Sequence, residues 1–484
     1  MSPHLSTFAQ GKKTIFTARL STFSETSTLR TVLGSRIAPL SDLHLFSADD
    51  AAQTLVKSLE KIYVPTSQSV ALAVRILGTA IAHARTTYAD EATYIRNSNL
   101  SRIEFDREPT TWIITGLAGS GKSALLAQLK RVLNEAVPIY QASPHCAPRP
   151  ILGVLFLHVS GKIKQGDVLR SLAEDLGMTA NSGSYPSSIN VDAIRKEIFR
   201  QGCSAIVVDE SQAMASGKTA GAVFVNFIAY LRGFGVPVIV VGNYSMCHGI
   251  LAQPSQMRQR VVNDPYIVQP NCADDPDFLK LLRVYKEAMG EICALELPRD
   301  ADTVQWLTGG GGRAMRELMG IAYKTQRHKS PANPEVTITI ESLKEAYSSS
   351  SYFAFREEIE LLREYRTRGG KIRQDLLCPF KMVGEALEVE QKLRDQLRMQ
   401  MVAREMLLRS MSSKEREAVS AGEQVGPEFS EPADAIAFQM QLRKNTKGKP
   451  GTTTGKHPVA LGGATRQKRR QLPTAADAAR SWGG

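Results

Sequence analysis

Cysteine is scarce in this chain, and its placement excludes more than it permits. The six cysteines, at 146, 203, 247, 272, 293 and 378, are far apart, with no CxxC pair and none among histidines at zinc-finger spacing. That argues against a disulfide scaffold and a structural zinc site, and for reduced thiols in a cytoplasmic protein. Long apolar runs are missing too. No stretch approaches the ~18 residues that span a bilayer, so no membrane partner is expected. Residues 1 to about 45 lack a central apolar segment and do not read as a secretory signal.

Acidic residues are scarce in two places. None occurs before Glu25, where the chain is rich in Ser, Thr, Lys and Arg. An organelle transit peptide and a flexible interaction arm both suit such a start, and the lack of a clean amphipathic repeat favours the arm. After Gln441 only Asp477 stands against ten Lys or Arg, a local net charge of +9 out of +12 for the whole chain. The remaining 440 residues therefore carry only +3. The high isoelectric point belongs to the tail, and the body is close to neutral.

What is present is a long, apolar-rich chain. Its 484 residues suggest two to four structural units, and a 43% hydrophobic share can build a sizeable core. Helical spacing runs from Ala51 to Arg85, with Pro65 dividing two helices. Short apolar runs then alternate with helical segments: Trp112 to Ile114, Ile151 to Val159, Ala205 to Val208, Pro237 to Val241 and Tyr266 to Val268. Runs without alternation suit parallel strands covered on both faces. Past Asp274 the pattern is mainly helical, ending in a long helix from Val383 to Met411. From Ser412 onward periodicity vanishes, and the stretch ends in the basic cluster Arg466 to Arg470. The expected organisation is a flexible N-terminal arm (1–50), a helical lead-in with an α/β nucleotide-binding core (51–273), a helical lid with C-terminal helices (274–411), and a disordered basic tail (412–484).

The chemistry concentrates at 116–123, where Gly116-x4-Gly121-Lys122-Ser123 follows an apolar strand and precedes strong helix formers. Glycines at 116, 119 and 121 let successive backbone N–H groups converge on phosphate oxygens. The helix start adds its unpaired donors and dipole. Gly116, Leu117, Ala118, Gly119, Ser120, Gly121, Lys122, Ser123 and Ala124 are thus the expected nucleotide cradle. Lys122 reaches the outer phosphates of ATP, and Ser123 holds Mg²⁺. In Val-Val-Asp209-Glu210, a strand ends in a carboxylate that can hold Mg²⁺ through water. Glu210 is then placed to activate the attacking water. Asn243 ends the next strand and can hydrogen-bond the γ-phosphate or that water. Arg260, with Arg258 in reserve, precedes the last strand and in a ring would reach a neighbour's nucleotide. Arg313 follows the glycine run 309–312 and would point back at the γ-phosphate.

This order of motifs resembles the AAA+ ATPases, in particular their initiator-like branch. The phrases IVVDESQAM, VPVIVVGN and PSQMRQRV are similar to transposition regulators of the TnsC/TniB type, over roughly residues 50 to 350. The glycine-rich GGGGR departs from the usual second sensor. The resemblance implies a P-loop NTPase fold, ATP and Mg²⁺ as cofactors, and ATP hydrolysis. It also implies duplex DNA as a partner, a homo-oligomeric ring or helical filament, and links to a transposase and a target selector. Its DNA contacts would fall on Lys162 and Lys164, whose two charges would give salt-sensitive binding. A nucleotide-switched signalling NTPase and a replication-initiator or clamp-loader-like ATPase are the alternatives.

Overall fold

The structure is a computed structural model. It describes residues 14–100, 103, 109–135, 137–141, 148–159, 165–178, 191–209, 220–331 and 335–410. The chain divides into two units, Met1–Ile436 and Ala437–Gly484, and every described residue lies in the first. The expected disordered tail lies outside the described residues.

Five strands form one parallel sheet: β1 (Thr111–Gly116), β2 (Val154–His158), β3 (Ala205–Asp209), β4 (Val238–Val241) and β5 (Tyr266–Val268). Their spatial order is β5-β1-β4-β3-β2. A two-stranded ribbon, Ile139–Tyr140 with Arg149–Pro150, stands apart from it. The apolar strand runs are explained by burial on both faces, with alternate residues entering different cores. Trp112, Ile114, Val207, Ile239 and Val241 pack under helices Ser67–Thr87 and Lys122–Asn134. Ile113, Ile206, Val208, Val238 and Val240 face the other way, toward helices Gln165–Asp175, Val191–Arg200, Ala220–Arg232 and Tyr244–Leu251. The fold is α/β with a helix-covered parallel sheet, followed by a helical region, as the sequence pattern predicts.

The helical region has its own core, built from helices Pro276–Met289, Ala301–Thr308, Gly312–Lys329 and Ile340–Ser348. Helix Ala48–Glu60 joins it through Ala51, Ala52, Leu55 and Leu59. The fit is close: a methyl added to Gly320 would come within 2.5 Å of Val56 Cγ2. Sequence periodicity places the whole lead-in with the nucleotide core, because an apolar stripe identifies a buried face and not its partner. Helix Ser67–Thr87 does pack on the sheet. It starts at a capping box, in which the Ser69 amide donates to Thr66 Oγ1 (3.1 Å) and the Thr66 amide to Ser69 Oγ (2.8 Å).

Residues 14–50 are a correction to the expected arm. Helices Ile15–Thr22 and Thr26–Val32 bury Phe16, Leu20 and Leu29, and Leu33 is buried just past the second. Phe16 stacks on Tyr88 with ring centroids 4.6 Å apart, and Gly202, at φ 61°, leaves the space it fills. The reason is physical. Helices of seven or eight residues gain their stability from tertiary packing, which a Ser- and Thr-rich composition conceals.

A further segment is invisible in the periodicity. Between helices Phe353–Arg368 and Glu385–Ser410 the chain leaves on Gly369 and Gly370, both at positive φ, and returns at Gly384. On the way the Leu377 carbonyl pairs with His248 Nε2 at 2.9 Å, and Gln269 Nε2 donates to Met382 Sδ at 3.3 Å. This strap ties the last helix to the sheet half. A nearly buried pair, Arg366 with Glu390 at 3.0 Å, fixes its far end.

Candidate nucleotide site

The site begins where β1 runs out of side chains. A Cβ at Gly116 would lie 2.4 Å from the Val268 carbonyl, so strand and neighbour can close only around glycine. Gly119 and Gly121 follow at φ 75° and 90°. Gly121 is the N-cap of helix Lys122–Asn134 and its carbonyl accepts the Leu125 amide at 2.9 Å. Lys122 folds over the loop and donates to the carbonyls of Gly116 (3.0 Å) and Leu117 (2.8 Å) and to Ser120 Oγ (3.2 Å). An arriving phosphate oxygen would replace those carbonyls. Ala118, Ser123 and Ala124 are exposed beside it. The concave, donor-rich backbone is the fit expected of a phosphate cradle.

The other strand ends converge on the same edge. β4 lies between β1 and β3, pairing Val241 with Ile114 and Val240 with Val208. That register carries half-buried Asp209 and Asn243 to the edge where the glycine loop leaves β1. The Gly242 amide donates to the Ile114 carbonyl at 3.0 Å, which fastens this end of β4 to the strand of the glycine loop. Asn243 caps helix Tyr244–Leu251. Its Oδ1 accepts from the Met246 amide (3.3 Å) and Ser245 Oγ (2.6 Å), which leaves Nδ2 as its donor toward a phosphate or water. Cys247, behind the loop, is a packing group; burial pushes its thiol up to about 12.

Mg²⁺ prefers a few hard oxygens and completes its shell with water and phosphate. Ser123 and Asp209 are donors of that kind. Among the described residues no group of three or more His, Cys, Asp or Glu forms a protein-only metal cage.

Arg313 reaches this site from the lid. The ideal Cβ position of Gly119 lies 3.3 Å from Arg313 Cβ, so the lid's glycine turn rests on the phosphate loop. The exposed Arg313 side chain carries its guanidinium 5.9 Å from the centre of the Phe355 ring. The structure thus brings together the glycine loop, Lys122 and Arg313, with Asp209 and Asn243 on the same sheet edge. Glu210, Lys162 and Lys164 lie outside the described residues, as does the side chain of Arg260. The backbone of Arg260 belongs to helix Ser255–Val261, and Arg258 Nη1 donates to the Leu251 carbonyl at 3.3 Å. Sequence reasoning missed Asn271, which meets the lid just past β5, and the strap over His248. Neither has a motif. A cleft of about 640 Å³ between Asp274 and the last helix lies away from the glycine loop.

Residues 106–251 match the family model described as AAA domain. The fold is that of an AAA+ P-loop NTPase. Solved structures similar to the chain include the Aeropyrum pernix ORC1 protein in complex with DNA, at 16% identity over 59% of this chain and 67% of that one (TM-score 0.32). The Aeropyrum pernix ORC2 protein in its ADP form is 14% identical over 67% and 80% (TM-score 0.35). The Cdc6p protein from Pyrobaculum aerophilum is 13% identical over 53% and 65% (TM-score 0.35). No curated protein matches the chain. Among the described residues no helix is long and apolar enough to cross a membrane.

Proposed function

We propose that this chain is an ATP-hydrolysing AAA+ protein that assembles on duplex DNA and regulates DNA transposition. The observation that carries the ATPase part is the meeting of two elements. A glycine cradle with Lys122 is set beside Asp209 and Asn243, and the lid presses Arg313 against Gly119. In this reading backbone donors and Lys122 hold the phosphates, and Ser123 and Asp209 orient Mg²⁺, which neutralises charge on the transferred phosphoryl group. Glu210 activates water, Asn243 positions it, Arg313 senses the γ-phosphate from the lid and Arg260 reaches a neighbour's nucleotide.

The transposition part rests on the sequence phrases shared with TnsC/TniB-type regulators. DNA contact would come from Lys162, Lys164 and the basic tail, multiplied along an assembly by avidity.

The test mixes the protein with duplex DNA, with and without a slowly hydrolysed ATP analogue, and images the product. Rings or filaments on DNA that need the analogue are the expected result. Their absence, with nucleotide binding intact, would leave the signalling-switch alternative. Stimulation of strand transfer by a cognate transposase then tests the transposition part.

A further inference from the structure

We propose that Asn271 and Gly310 are positioning residues that lock the lid to the end of β5 and thereby set Arg313 against the phosphate loop. The inference rests on the nucleotide-site reading above and adds residues to it.

Gly310 sits at φ 74°, and a Cβ on it would lie 2.3 Å from the Asn271 carbonyl oxygen and 3.0 Å from the Asn271 nitrogen. The two backbones therefore pass in direct contact, closer than any side chain allows. Asn271 Nδ2 donates back to the Gly310 carbonyl at 3.4 Å, and Gln305 Nε2 of the lid donates to the Asn271 carbonyl at 3.4 Å. Asn271 thus engages the lid with both its side chain and its main chain. It stands three residues beyond Val268, whose carbonyl touches Gly116 at the start of the phosphate loop.

These contacts close a circuit. β1 leads into the phosphate loop, and Gly119 of that loop touches Arg313. Three residues before Arg313 is Gly310, which holds the turn. Asn271 returns the path to β5, which pairs with β1 through Gly116 and Val268. The exposed Arg313 side chain has few restraints of its own, so its placement is inherited from the backbone turn. A displacement of ~1 Å in such a group can cost up to ~100-fold in the step it serves. The run of glycines at 309–312 then has a reason: it makes the turn that Asn271 clamps.

The test compares affinity for ADP with affinity for a slowly hydrolysed ATP analogue, using the full chain. The variants are Asn271→Ala, Gly310→Ala, Arg313→Ala and each of the first two combined with Arg313→Ala. A γ-phosphate contact changes the ratio of the two affinities, whereas a general loss of stability does not. Arg313→Ala should weaken analogue binding by roughly 10-fold and leave ADP within about twofold, the scale of one hydrogen bond to a charged group. Asn271→Ala and Gly310→Ala should lower the ratio by roughly 3- to 10-fold on the same scale, and add nothing once Arg313 is gone. If the ratio falls for Arg313→Ala but not for Asn271→Ala, or if the effects add, the positioning role is overturned. If Arg313→Ala leaves the ratio unchanged, the reading of Arg313 as a γ-phosphate sensor fails, and with it the lock's function. Should Gly310→Ala not fold, Asn271→Ala decides the matter alone.

Discussion

The sheet half and the lid half bury their apolar residues in different ways. In the sheet β1 to β4 each feed two cores at once, so they are apolar along their length. In the lid each helix offers one stripe to one core, and the opposite face carries charge. The lead-in is shared between them. Helix Ala48–Glu60 belongs to the lid, and helix Ser67–Thr87, a few residues later, to the sheet. The glycine loop thus sits on the half whose structure is most locally encoded, while the lid's Arg313 is placed beside it by long-range contacts.

The sharpest way to separate the halves is Lys122→Ala. It should weaken ATP binding by ~100-fold or more, since several charge-assisted contacts to phosphate are lost together, and leave thermal unfolding nearly unchanged. Calorimetric titration measures the first and a melting curve the second. A large fall in melting temperature would mean that Lys122 is structural, holding Gly116 and Leu117 in place.

Leu55→Ala attacks the lid half instead. Leu55 is fully buried in the lid core, so the cavity should cost about 2–4 kcal/mol. Amide exchange should quicken in helix Gly312–Lys329 before it does in β1 and β4. Equal loosening of both halves would erase the distinction between their cores.

Gly116→Ala probes the seam. The added methyl meets the Val268 carbonyl at 2.4 Å and must push β5 from β1, at a cost of about 1–3 kcal/mol. Denaturant melts would register it, and ATP affinity should fall further than stability does.

The smallest effect is electrostatic. Asp49 lies on the lead-in helix beside Lys324 of the lid, and the Lys324 ammonium holds its carboxyl below the usual range. A carboxyl depressed in the folded state contributes stability above its ordinary titration range and loses it as pH falls through its folded value. Between about pH 5 and pH 3 the lid should therefore loosen slightly, as amide exchange in helix Gly312–Lys329 would report. Asp49→Asn should shrink that dependence. Both groups are largely exposed, so the change should be close to the limit of detection.

Much of the fold was legible. Five strands, their apolar character and the division of the lead-in at Pro65 follow from runs and periodicity. So does the cradle at 116–123, because glycine, lysine and serine at that spacing have few other uses. Three things were not legible. The first two helices are held by Phe16, Leu20, Leu29 and Leu33, anchors too few and too scattered to show a period. The strap at 369–384 has no regular structure and is recognised only by what Leu377 and Met382 touch. Asn271 looks like any loop residue until Gly310 is seen against its backbone.

By itself the sequence determined the glycine loop at 116–123. A glycine loop between a strand and a helix is a local structure, and its chemistry depends on neighbours in the chain. Only the tertiary structure decided that the lid's glycine turn comes down on that loop and which residues hold it there. Those contacts join segments about 190 residues apart, such as Gly119 and Arg313, and no local propensity encodes them. They depend on how the separate cores pack, which no single segment sets.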